Sequence, residues 1–305
     1  MSDQSSQFEA LCRTMAGRSD LAFLLDRSIN FDAIQRAWLP LAIDLAHARA
    51  ASDRPIIQGI LGVQGVGKTT LCTVLVLALE LLGLKAVSWS IDDLYKTYAD
   101  RLTLQTQDPR LIWRGPPGTH DVALGIEILQ RLRSPDGSPI PIPRFDKSLH
   151  GGQGDRVAPD WIEPVDIVLF EGWFVGTRPI DCDAIVTWPD PINSAADRAF
   201  ARDCNDRLRE YLPLWDLCDR LLILKPTDYR LSKTWRKQAE RDRIAAGGAG
   251  FSDAEIDAFV DYFWKSLHPT LFIDPLVYGS SVDRVFEFGA NRQLQWPIPR
   301  TNSRD

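Results

Sequence analysis

The segment Gly62-Val-Gln-Gly-Val-Gly-Lys68-Thr69 fits the pattern GxxxxGK[ST], whose residue types are those needed to hold a chain of phosphates. Its glycines let the backbone curl until several N–H groups face one anion, Lys68 adds a point charge for the outer phosphates, and the Thr69 hydroxyl suits Mg²⁺. Such a loop needs a strand before it and a helix after it. The run Ile56 to Leu61 is short, β-branched and bounded by Pro55 and Gly62, as a strand buried on both faces would be. Lys68 to Leu82 then reads as a helix stopped by Gly83, so a chance glycine turn is a poor explanation. The expected contacts to ATP are Gly62, Gln64, Gly65, Val66, Gly67, Lys68, Thr69 and Thr70. No NKxD-like guanine-reading motif is apparent, although Lys225-Pro-Thr-Asp228 follows a strand pattern.

Ligands of open α/β sheets bind beyond the carboxyl ends of the strands, and that rule sorts the acids. Lys85 to Ile91 reads as a second strand, followed by Asp92 and Asp93; Asp166 to Phe170 reads as a third, followed by Glu171. Asp166 starts its strand and so lies at the wrong end. Glu171 is the candidate for holding Mg²⁺, through water, because this ion takes few carboxylates; the plainer reading is a solvated strand-end acid. Asp92 is a candidate general base for a substrate hydroxyl attacking a γ-phosphate, and Asp93 a candidate helix cap, two roles that spacing does not separate.

A second cluster lies in RGPPGTHD, Arg114 to Asp121, and in RFDKSLHGGQGDR, Arg144 to Arg156. Arg114 and Arg144 can grip a carboxylate, Lys147 adds charge, and His120 or Asp146 can bond hydroxyls, which together suit a small anionic substrate; Asp121 is expected among its contacts. The stretch Pro139 to Pro164 is rich in Pro and Gly without apolar periodicity and is expected to be a long functional loop. A solvated loop with internal ion pairs is the competing reading. Tyr229 to Ala245 reads as a charged helix ending at Gly247-Gly248, a lid able to bring Arg236 onto the transferring phosphoryl group, or else an exposed helix stitched by Glu and Arg pairs.

These residues must be positioned by a parallel sheet. Helix patterns from about Asp121 to Arg133 and Asn193 to Leu212, and strand patterns at Arg220 to Leu224 and Asp283 to Phe288, continue the alternation of an α/β fold. Ser252 and Glu255 form a capping box for another helix. Residues 1–54 are expected to be a helical extension packed through Trp38, Leu41, Ile43 and Leu45, and 55–305 a single domain with substrate loops at about 92–121 and 139–164 and a lid at about 226–250.

The 305 residues, 45% hydrophobic and 25% charged, suit an ordinary globular chain, and the net charge of −6 argues against a nucleic-acid surface. The five cysteines lack metal-binding spacing and are expected to be reduced. The N-terminal MSDQSSQFEA lacks the basic start and apolar core of a signal peptide. The longest apolar run, Leu71 to Leu82, is too short to cross a bilayer, and a cytoplasmic protein without membrane contact is expected.

The ordered motifs GVQGVGKTTL, SIDDLY, RGPPGTHD, RFDKSLHGGQGDR, LFEGWFVG and WRKQAE run from about Ile56 to Phe288. Together they resemble those of the D-glycerate 3-kinases and their kinase-like relatives, in the phosphoribulokinase, uridine kinase and pantothenate kinase group of P-loop proteins. The resemblance implies a three-layer α/β/α P-loop fold with a mainly parallel sheet and a helical lid. It implies Asp92 as catalytic base, Glu171 as a magnesium-associated acid beside Thr69, and a lid carrying Arg236, Lys237 and Arg241. Lys68, Asp92 and Arg236 are then the expected catalytic set, with Mg²⁺ and ATP converting D-glycerate to 3-phosphoglycerate. A kinase of another hydroxylated metabolite, pantothenate- or uridine-kinase-like, and a non-catalytic nucleotide-regulated protein are the alternatives. The family shows Phe and Tyr where this chain has Leu94 and Phe145, the second exchange removing a hydroxyl from the substrate segment.

Overall fold

Every residue of β1 (Ile56–Gly62) is buried, as is every residue of β5 (Ile167–Gly172), because both strands lie inside a sheet covered on both faces. Each buried Ile or Leu in these strands contributes roughly 1.5–3 kcal/mol. The computed structural model describes residues 2–17, 34–245, 247 and 251–295. Its main sheet has six strands in the order β2 (Ala86–Ser90), β5, β1, β6 (Arg220–Pro226), β7 (Arg284–Phe288) and β8 (Leu294–Gln295). All pairings are parallel except the short β7–β8 edge. The strand register sets Ile60 beside Glu171 and Ser90 beside Glu171, which brings the ends of β1, β2 and β5 to one edge.

Helices α1 (Ser2–Ala16), α2 (Leu39–Ala50) and α3 (Lys68–Leu81) pack together on one face, and α3 follows β1 directly. Trp38, Leu41 and Leu45 are buried there and Ile43 partly so; the part of the expected N-terminal helix at 18–33 lies outside the described residues. The other face carries α5 (Val122–Arg133) and the short helix Leu212–Trp215, giving three layers. Asp121 caps α5 by accepting from the Leu124 N–H at 3.1 Å.

Two expectations need correction. The stretch 94–120 contains a helix, α4 (Tyr98–Gln107), capped by Thr97 with Asp100 three residues on. The expected long loop at 139–164 is mostly a hairpin, β3 (Ile140–Asp146) with β4 (Asp155–Ile162), with Pro143 at a register shift between Ile142 and Arg144.

The charged lid stretch forms α7 (Leu231–Ala245), laid against α8 (Asp253–Ser266), which in turn packs on α6 (Ala195–Arg207). Lys233, Lys237 and Arg241 on α7 pair with Asp261, Asp257 and Asp253 on α8, three pairs at four-residue steps running in opposite directions along two antiparallel helices. The predicted Ser252–Glu255 capping box is present at the start of α8. Position 248 of the expected lid terminus, with 246, 249 and 250, lies outside the described residues. The five cysteines are free thiols, and among the described residues no helix is long and apolar enough to cross a membrane.

Candidate active site

The turn between β1 and α3 is built on glycines with positive φ, +75° at Gly65 and +97° at Gly67, conformations that side-chain-bearing residues rarely adopt. Gly67 is the N-cap of α3 and supplies no side chain to its first N–H groups, which leaves them for an anion. Lys68 Nζ folds back onto the carbonyls of Gly62 at 2.8 Å and Val63 at 3.3 Å, so its charge sits within the loop. An ideal Cβ on Gly65 would fall 3.0 Å from Trp235 Cβ and 3.3 Å from the Arg236 nitrogen, so the start of α7 rests on the phosphate loop.

At the same edge the Thr69 hydroxyl donates to Glu171 Oε1 at 3.1 Å. Burial pushes the Glu171 carboxyl up, an effect opposed by the Lys68 ammonium and reinforced by the charge of Asp92. A buried carboxyl beside a hydroxyl, whose ionised form burial disfavours, fits a hard cation such as Mg²⁺, whose charge would favour that form.

Asp92 lies just past β2 in the turn Ile91–Leu94, whose cap is Ser90. Its carboxylate receives Lys147 Nζ at 2.7 Å. Burial alone would raise its pKa, but the Lys147 charge and hydrogen bond hold the group well below the usual carboxylate range. Lys147 is correspondingly pushed up, first by Asp92. Asp93 is not the helix cap expected for it; its two oxygens take the Phe145 N–H at 3.1 Å and Arg144 Nη1 at 3.0 Å, which anchors the hairpin beside Asp92.

Several expected site residues are engaged by the framework. Arg144 bridges Asp93 and Asp160, the latter at 2.6 Å from Nε, and its guanidinium is committed to the hairpin. Asp146 accepts from the Ser148 N–H and hydroxyl and closes its own turn. Asp121, besides capping α5, pairs with Arg156 at 3.1 Å. Arg236 pairs with the buried Glu240 one turn along α7 at 2.6 Å. Each of these carboxylates or guanidiniums already has a close partner of opposite charge or a local N–H.

Lys147, Asp92, His120 and Arg114 do come together. Arg114 donates to the carbonyls of Gly152 and Gln153 at 2.7 and 2.9 Å and lies over the rings of Tyr95 and Phe145, 5.9 and 5.5 Å from their centroids. Its charge acts on Tyr95 and on Lys147. His120 is buried and stacks on Tyr95 at 4.5 Å. Sequence reasoning passed over Tyr95, which lay in a quoted motif without a role, and Arg101 of α4, which holds the carbonyls of Lys96 and Gln153 at 3.1 and 2.8 Å. The Thr97–Asp100 cap was the signal that could have found α4, although its acid is Asp rather than the Glu or Gln of the usual capping box. In place of the family tyrosine, Phe145 acts as an apolar pillar, its ring edge-on to Tyr95 at 5.1 Å.

Sheet order, phosphate loop and flanking acids define a P-loop kinase. No family model matches the chain. Over 244 residues it is 33% identical to the chloroplastic D-glycerate 3-kinase of Arabidopsis thaliana, covering 76% of this chain and 51% of that one, so it spans about half the plant protein's length. Over 218 residues it is 32% identical to an uncharacterized kinase of Schizosaccharomyces pombe, covering 69% of this chain and 79% of that one. The solved D-glycerate 3-kinase of Cryptococcus neoformans superposes with a TM-score of 0.74 at 28% identity, over 86% of this chain and 96% of that one. The chain belongs to the D-glycerate 3-kinase family, with its kinase-like relatives, among the P-loop kinases.

Proposed function

We propose that this protein transfers the γ-phosphoryl group of ATP to the 3-hydroxyl of D-glycerate, giving 3-phosphoglycerate and ADP. The observation that carries the reading is the Lys147–Asp92 pair, 2.7 Å apart, at the sheet edge that also bears the Thr69–Glu171 contact and the phosphate loop. Fold, family and this placement support an alcohol-phosphorylating kinase for a small anion.

The uncapped N–H groups of α3 and Lys68 would hold the phosphates in line with the acceptor. Thr69 and Glu171 would hold Mg²⁺, which when bound neutralises charge on the phosphate oxygens. Asp92, ionised at neutral pH, accepts the proton of the 3-hydroxyl as that oxygen bonds to phosphorus and the bond to the ADP oxygen breaks. A base of such low pKa is weak, which suits a loose transition state in which the hydroxyl loses its proton late. Arg114 and Lys147 are the cations proposed to hold the glycerate carboxylate, Lys147 dividing its charge between substrate and base. The start of α7 on Gly65 supports the lid role proposed for that helix, with Arg236 reaching the phosphates only on release from Glu240.

The test is ADP release measured with D-glycerate, pantothenate, uridine and ribulose 5-phosphate, each with ATP and with GTP. D-glycerate with ATP is expected to give the highest kcat/KM. Turnover of another acceptor but not of D-glycerate would move the assignment to that acceptor.

A further inference from the structure

The buried imidazole of His120 is fixed at one nitrogen and unpartnered at the other. Its Nδ1 lies 2.9 Å from the Tyr211 hydroxyl, and that oxygen also accepts the Gly118 N–H at 2.9 Å. The Tyr211 proton has Nδ1 as its one acceptor among the described residues, so Nδ1 accepts and the ring proton resides on Nε2. Nε2 is buried without a hydrogen-bond partner among the described residues. Burial, opposed by the Asp92 charge, pushes the imidazole down to about 3, so the ring is neutral and presents a donor without a charge.

The ring is held on the segment that follows the candidate base. Tyr95 and His120 form an antiparallel bridge, flanked by Lys96 N–H to Thr119 at 3.0 Å and Asp121 N–H to Leu94 at 2.7 Å, which stitch the segment after Asp92 to the segment bearing His120. Tyr95 stacks on one face of the imidazole, while Tyr211 is itself braced by Phe174 and Trp215 at 5.2 and 5.6 Å. Buried donors in folded proteins almost always find an acceptor, and the oxygens of a hydroxy acid brought to Asp92 are acceptors of the right kind.

We propose that Tyr211 is a positioning residue that locks His120 in the Nε2–H tautomer, and that this N–H donates to an oxygen of the acceptor substrate and helps select it. The substrate half of this inference rests on the kinase reading of the site; the tautomer half does not. A site built around a hydrogen-bond donor discriminates strongly against molecules that leave the donor unpaired.

The experiment is nitrogen-15 NMR of the histidines of the full chain, with His120→Phe identifying the His120 signals. Wild type is expected to show a protonated Nε2 and a bare Nδ1, and Tyr211→Phe to lose that preference. Addition of the acceptor without nucleotide should shift the Nε2 signal. His120→Phe should raise the acceptor KM roughly tenfold, the size of one hydrogen bond, while leaving the KM for ATP unchanged, and His120→Gln should recover part of the loss.

A protonated Nδ1 in wild type overturns the lock. An Nε2 signal indifferent to the acceptor, as a resident water would leave it, overturns the substrate contact. Should His120→Phe fail to fold, His120→Gln identifies the signals, and should Tyr211→Phe fail, the assigned wild-type spectra with and without acceptor still decide. Should another acceptor in the panel turn over instead of D-glycerate, that compound is the one added, so the glycerate reading falls without deciding this one.

Discussion

Burial opposes ionisation at both the half-buried Asp92 and the buried Glu171, with opposite outcomes, and the difference is a cation. Lys147 holds Asp92 ionised, whereas the burial cost at Glu171 exceeds what Lys68 returns. Asp92→Asn should retain ATP binding, read by titration calorimetry, and lower kcat by about 10²–10⁴. Because the folded form lowers the Asp92 pKa, its contribution to stability is present above the unfolded value and is lost as pH falls through the folded one. In Lys147→Met the opposing burial is left in control, so the acid limb of the rate profile should move upward in pH, and the acceptor KM should rise. Glu171 has the reverse sign: its raised pKa makes the ionised form costly above the unfolded value, a cost relieved as pH falls through the raised one. Glu171→Gln should therefore raise the melting temperature at neutral pH without metal while abolishing the Mg²⁺ dependence of ATP binding, both readable by calorimetry.

Local signals placed the elements that hold these residues where the chain interacts with its near neighbours. The all-apolar β1, the glycine turn and the Ser252–Glu255 box are determined within a few residues, and each was legible in sequence. The hairpin at 140–162 was not, because its prolines mask strand character and its pairing joins residues up to 22 apart, as Ile140 with Ile162. The charges of the substrate segments were legible, but their partners were not. Arg144 carries the charge of a carboxylate clamp, but Asp93, distant in sequence, takes it, and Asp121 and Asp146 bind groups of their own turns. At this scale the contact between loop and lid is testable. Gly65→Ala places a Cβ against Trp235 in a left-handed turn, which should cost about 1–2 kcal/mol of stability by denaturant unfolding and weaken ATP binding, since the loop cannot shift without moving α7.

Across the whole molecule, one face carries the N-terminal helices and the other the aromatic layer of Phe170, Phe174, Tyr211 and Trp215, and the two grip a sheet whose strand ends converge on the candidate site. Asp92 just after β2 and Glu171 within the last two residues of β5 belong to adjacent strands, an order that no stretch of sequence encodes alone and that the parallel topology supplies. The central claim concerns a chemical product, and phosphorus-31 NMR of the protein with Mg²⁺, ATP and D-glycerate reads it directly. A phosphomonoester signal coupled to the two C3 protons, present with wild type and lost with Asp92→Asn, is predicted; ATP left intact, or a signal coupled to the single C2 proton, would contradict it.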